Sequence, residues 1–194
     1  MADPAYIVDG VRTDGEAWVA LASTTLGSDT PSITFTSPDD GSSLDWSQFM
    51  DLVAICYGRN SRADAAEESF TFQLNDDTSA SYAWQYLSGD GSAVAAGPGT
   101  GRTYGYFGPM PAALAAANTF GVSITHFFDI NSGKFKSILQ QFATDQDGAG
   151  RCEILATTWQ KQAPIIKIYV YGAGSNMVAG TRLDLFGILP RMVA

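Results

Sequence analysis

The feature that most constrains this chain is a two-residue hydrophobic alternation, repeated along its length and broken by turn residues. Ile33 and Phe35 alternate with Thr34 and Thr36, Val53, Ile55 and Tyr57 form a stripe, and Phe70, Phe72 and Leu74 alternate with Thr71 and Gln73. Phe120, Val122, Ile124, His126 and Phe128 alternate with Gly121, Ser123 and Thr125, and Ile166, Ile168 and Val170 stand opposite Lys167 and Tyr169. Successive side chains of a strand point to opposite faces, so each stripe predicts a strand with its apolar face on a core. The stripes are separated by Pro38-Asp39-Asp40-Gly41, Asn75-Asp76-Asp77, Gly89-Asp90-Gly91, Asn131-Ser132-Gly133, Asp145-Gln146-Asp147-Gly148 and Gly172-Ala173-Gly174. Such residues reverse the chain because they tolerate positive φ or bond their own backbone. This spacing predicts an all-β fold, a single jelly-roll-like β-sandwich of two antiparallel sheets. Residues 1–26 read as a short N-terminal arm or extension and 27–194 as the sandwich domain. Helix is expected only as one turn near Asp45 to Asp51, capped by Ser43 or Asp45, and at Ala112 to Ala117, which fits a short helix or an extended loop.

Composition narrows the partners. Of 194 residues, 45% are hydrophobic, enough for a core, while 16% are charged, against roughly 25% in ordinary domains. The solvating residues are therefore largely Ser, Thr, Gly, Asn and Gln. Eleven basic against twenty acidic residues leave a net charge of −9, which argues against a phosphate-backbone partner. No apolar run approaches the ~18 residues of a membrane helix. The N-terminus, Met-Ala-Asp-Pro, lacks the basic and apolar regions of a secretory signal, so none is expected.

Candidate chemistry is sparse. His126, the single histidine, lies on an alternating face with no acid or nucleophile at catalytic spacing, and reads as structural or interfacial. Cys56 and Cys152 lack CxxC spacing and read as two buried free thiols, with a disulfide between them open. Asp145-x-Asp147-Gly148 begins like a calcium loop but lacks its later Glu, and Asn75-Asp76-Asp77 reads likewise as a strand-end turn. Gly97-Pro98-Gly99-Thr100-Gly101-Arg102 has no Lys-Ser/Thr ending and reads as a flexible surface loop rather than a phosphate cradle. Four glutamates, Glu16, Glu67, Glu68 and Glu153, leave paired-carboxylate glycoside chemistry open as a minor alternative; Glu67 and Glu68 are expected to be solvated. No catalytic residue, metal ligand or cofactor is assigned. The remaining signal is aromatic: Tyr82, Trp84 and Tyr86 alternate on one strand face, and Tyr104 and Tyr106 follow the Gly-rich segment. They read either as sheet packing or as an interaction surface for a subunit or a sugar, because Tyr and Trp bury large areas and keep a polar tip.

A series of short motifs carries a resemblance. Ser32-Ile33-Thr34-Phe35 opens it. Trp46 to Val53 with Arg59 beyond follows, then Phe72-Gln73-Leu74-Asn75-Asp76-Asp77 with Tyr82. Next come Phe135-Lys136-Ser137 and Trp159 with Ile166 and Ile168. Asn176-Met177-Val178-Ala179-Gly180-Thr181 closes it together with Leu183-Asp184-Leu185-Phe186-Gly187-Ile188. In this order the segment from Thr25 to Ile188 resembles a widespread family of small bacteriophage virion proteins with a β jelly-roll domain. The resemblance implies a non-enzymatic virion structural protein, most readily a capsid decoration or cement protein acting through oligomeric β surfaces. The alternative is a tail-tip or tail-fibre module binding a host-surface glycan. It implies a homo-oligomer, with a trimer expected, and the major capsid protein or other virion proteins as partners. Synthesis in the host cytoplasm and residence on the capsid surface or tail would follow.

Overall fold

The computed structural model describes residues 17–146 and 149–189. Its strands are β1 (Trp18–Thr25), β2 (Ser32–Thr36), β3 (Asp51–Gly58), β4 (Glu67–Leu74), β5 (Tyr82–Gly89), β6 (Val94–Arg102), β7 (Gly105–Pro111), β8 (Gly121–Phe127), β9 (Lys136–Asp145), β10 (Gly150–Trp159), β11 (Lys167–Gly172) and β12 (Arg182–Ile188). They form an eight-stranded sheet, β1-β12-β3-β8-β9-β10-β5-β6, and a four-stranded sheet, β2-β11-β4-β7, with every pair antiparallel. The two sheets pack as a jelly-roll-like β-sandwich, as the alternation predicts. One 3-10 turn, Trp46–Gln48, is capped by the Asp45 carboxylate, which accepts from the Ser47 N–H at 2.9 Å. Ala112 to Ala117 takes the non-helical form. The Arg59 guanidinium donates to the carbonyls of Ala112, Ala115, Ala116 and Thr119 and holds that segment against the sheet.

The expected arm divides between regions. Residues 1–16 lie outside the described residues, whereas Trp18–Thr25 is the edge strand β1, paired with β12. At the turn after β4, Asn75 and Asp76 hold φ of 53° and 56°, values that Asn and Asp tolerate better than most residues.

Phe72 lies at the centre of the core. Its ring meets Phe127 at 5.5 Å and Tyr82 and Phe107 at 6.2 Å, all edge-to-face, the arrangement the ring quadrupoles favour. Gly105 faces it across the β4–β7 pair, and a Cβ there would lie 2.1 Å from the ring. At one end of the sandwich Asp77 accepts hydrogen bonds from the Ser79 N–H and hydroxyl, the Ser81 hydroxyl and the Trp159 indole. Tyr82, one ring away from Trp159 at 6.5 Å, accepts from the Leu74 N–H. This knot ties β10 and β5 of the large sheet to the end of β4.

The small sheet ends at β7, which has no strand on its far side among the described residues. Polar side chains on the inner face of the large sheet serve it instead. Ser123 Oγ on β8 donates to the Phe107 carbonyl at 2.6 Å, and Gln140 Nε2 on β9 donates to the Tyr106 carbonyl at 2.9 Å. This requirement reverses the reading of β8. Ser123 and Thr125 are fully buried, while Val122 and Ile124 are 38% and 39% exposed. The apolar stripe of β8 therefore faces outward: Ser123 takes an inner position and bonds the β7 edge, while the Thr125 hydroxyl beside it is buried without a hydrogen-bond partner.

Two expectations concern stability. Gly105→Ala should cost about 1–3 kcal/mol through over-packing against Phe72, read as a lowered denaturant midpoint; an unchanged midpoint would show that the ring yields freely. Burial raises the Asp77 carboxyl, but the bonds from Ser79, Ser81 and Trp159 outweigh it and hold the group well below its ordinary value of 3.8. With the folded value depressed, the bonds stabilise fully above the unfolded value and fade as pH falls through the acid range. An acid-unfolding series should show this loss in the native chain and a flatter profile in Asp77→Asn, which should itself cost about 1–3 kcal/mol at neutral pH.

Candidate interaction surfaces

The Gly97 to Arg102 segment, expected as a flexible loop, is instead part of β6, an edge strand of the large sheet. The glycines explain both the misleading signal and the strand. A Cβ at Gly99 would lie 2.3 Å from the Trp84 indole, and one at Gly97 would lie 3.1 Å from the Tyr86 ring. The two aromatic side chains of β5 thus fold across β6 where it carries no side chain. Trp84 meets Tyr104 at 5.6 Å and Tyr106 at 5.9 Å, with the Arg102 guanidinium 5.5 Å from its ring centre, within cation–π range.

Of the five aromatics singled out from the sequence, Trp84, Tyr104 and Tyr106 form this half-buried cluster, with Tyr86 beside it on β5. Tyr82 does not join them: it is fully buried in the core. The alternation placed it on the shared face correctly, but the small sheet covers that end of β5. Tyr169 and Tyr171, missed from the sequence, stack at 5.1 Å on β11. Their signal was the alternation itself, Tyr169 and Tyr171 standing opposite Ile168 and Val170.

A charged group adjoins the cluster. Arg151 pairs with Glu67 at 2.7 Å and with Glu153 at 3.5 Å, and Arg62 pairs with Glu68 and with Asp64. Glu67 and Glu68 are therefore not solvated as expected, but largely covered by arginine partners. Burial pushes the Glu153 carboxyl up, and Arg151 opposes it. Tyr106 donates to or accepts from Ser69 at 2.5 Å, and burial pushes its phenol up. A depression of about 390 Å³ lined by Glu67, Asp90, Ser92, Gln146 and Arg151 opens beside this group.

The second surface is the outward face of the large sheet. Pairing places side chains in cross-strand rows. Ile55, Ile124, Gln141, Ile154, Leu87 and Ala96 run in register from β3 to β6. A neighbouring row runs Tyr57, Val122, Ala143, Cys152, Gly89, Val94, and the row on the other side runs Val53, His126, Leu139, Ala156, Gln85, Pro98. None of the three rows contains Asp, Glu, Lys or Arg. Leu87 is 52% and Ile154 43% exposed, and a shallow depression of about 460 Å³ is lined by Leu87, Val94, Gln141, Cys152 and Ile154, among others.

Both cysteines are free. Cys56 is buried and its thiol pushed up by that burial. Cys152, expected to be buried, is exposed because its position on β10 faces outward. His126 lies at the rim of the outward face, bonded to Asp51 at 3.0 Å and stacked on Phe128 at 3.8 Å. Asp147 and Gly148 of the calcium-like segment lie outside the described residues. Among the described residues no group of three or more His, Cys, Asp or Glu is placed to hold a metal. No protein-family model matches the chain, and no curated protein matches it.

Gly99→Ala tests the aromatic corner. The added Cβ must displace the Trp84 ring, so the near-ultraviolet circular dichroism should change while the far-ultraviolet spectrum stays. Identical near-ultraviolet spectra would show that the indole is not seated on Gly99.

Proposed function

We propose that the chain is a non-enzymatic structural protein of a bacteriophage virion, a capsid decoration or cement protein that works through β surfaces in a homo-oligomer. The observation that carries this reading is the broad outward face of the large sheet, three cross-strand rows without a charged side chain. Monomeric proteins rarely leave contiguous apolar patches of more than a few hundred Å² in water. In a chain with net charge −9, such a face is where a neighbour approaches without repulsion. The motif order from Thr25 to Ile188 supplies the virion context. Cryo-electron microscopy of the particle whose genome encodes the chain should show the sandwich as repeated density on the head surface, as a homo-oligomer. Heads bare of it would overturn the decoration role.

The aromatic corner supports a second reading, a tail-associated module that binds a host-surface glycan. Trp84, Tyr104 and Tyr106 offer ring faces for a sugar, and Glu67 and Arg151 offer hydrogen-bonding groups nearby. A glycan array should then show retained ligands for the native chain and at least a tenfold weaker signal for Trp84→Ala, with equal secondary structure. No retained glycan would leave the decoration reading alone.

A further inference from the structure

We infer that the outward face of the large sheet is covered by a second copy of this chain, packed sheet to sheet, with Ile124, Ile154 and Leu87 at the centre of the contact. The inverted pattern of β8 is the first ground. Polar residues there are buried and apolar ones face out, so both sides of the strand carry groups suited to burial. On a sheet with one face in water the outward positions are ordinarily polar. Here the row Ile55, Ile124, Gln141, Ile154, Leu87, Ala96 presents a single polar side chain across six strands.

Size is the second ground. Six strands about 4.8 Å apart, carrying three outward rows about 6.8 Å apart, span roughly 600 Å² of sheet. Two copies would bury about 1,200 Å², at the lower edge of the range of stable specific interfaces. Two β-sheets pack face to face at about 10 Å by interdigitating such side chains.

Charge is the third, and it selects the occupant. Away from this face the loops and turns carry acidic side chains: Asp64, Asp76 and Asp129 are paired with Arg62, Lys167 and Lys134, while Asp39, Asp40 and Asp90 have no cationic partner among the described residues. A second copy that approached through those loops would be repelled; the three rows are a broad area on which an identical, acidic partner meets no like charge. At the rim, the β12 side of the face carries Arg182 paired with Asp184 at 2.9 Å, the polar border expected around an apolar interface centre. This pairing rests on the self-assembly proposed above but not on the particle in which it occurs, so solution mass and virion location fail independently.

Cys152 makes the contact measurable. It lies in the row next to Ile154 and is exposed in the single chain, while Cys56 is in the core. The native chain should sediment at a multiple of 20.6 kDa at micromolar concentration. A maleimide should then label Cys152 slowly, and faster as dilution separates the copies. Ile154→Glu, placed mid-row, should raise the dissociation constant about thirtyfold or more and free Cys152 to react at every concentration. Far-ultraviolet spectra and melting curves check that the variant remains folded. A single 20.6 kDa species in the native protein overturns the inference, as does an oligomer whose Cys152 reacts equally fast at all concentrations. An oligomer unchanged by a folded Ile154→Glu overturns it too. The native labelling needs no substitution, so a variant that fails to fold does not remove the test.

Discussion

The arrangement depends on one unmet need: β7 closes the small sheet, and its outer edge lies inside the sandwich rather than in water. A buried carbonyl without a partner costs as much as a lost hydrogen bond. The large sheet meets the need by turning Ser123 and Gln140 inward, onto the carbonyls of Phe107 and Tyr106. Strands read as period two, so a polar residue turned inward at one position sends its apolar neighbours out. The satisfied edge of one sheet and the apolar exterior of the other are thus a single consequence. Gln140 contributes doubly, since it also donates to Thr157 on β10 at 3.0 Å and links three strands at one point.

That coupling explains what the sequence could and could not disclose. The stripes at Ile33, Phe70 and Ile168 lie on the core because nothing in their surroundings competes with apolar burial. The turn chemistry of Asn75 and Asp76 is local, and so is the Asp45 cap; both are legible from a few residues. The orientation of β8 is not legible, because it is decided by a hydrogen bond from Ser123 to the Phe107 carbonyl across the sandwich, on a strand of the other sheet. Cys152 goes astray for the same reason: its apolar neighbours Ile154 and Ala156 share an outward face. The Gly97 to Gly101 run reads as a loop because glycine usually marks one. Here its missing side chains make room for Trp84 and Tyr86, a relation visible only once β5 and β6 are paired.

Of the candidate surfaces, the aromatic corner was partly legible. Trp84, Tyr86, Tyr104 and Tyr106 follow from alternation and proximity along the chain, while Tyr82 is separated from them by the depth of the sandwich. Arg151 and Glu153 stand two residues apart on β10, a pairing the alternation allows, but their partner Glu67 lies on β4, 84 residues from Arg151, and could not be joined to them from sequence.

Pro98 sits in β6, the exposed edge of the large sheet, opposite Gln85. Proline has no N–H, so at that point the edge cannot donate to a further strand. At the other end β1 is interrupted by a register shift between Ala20 and Ala22, which twists that edge away from a flat template. The chain therefore resists lengthening its sheet by recruiting strands, the route by which flat β surfaces turn into fibres. A protein that carries a wide, uncharged exterior on a sheet with blunted ends can stack in one direction and stop, which separates a finite assembly from an aggregate.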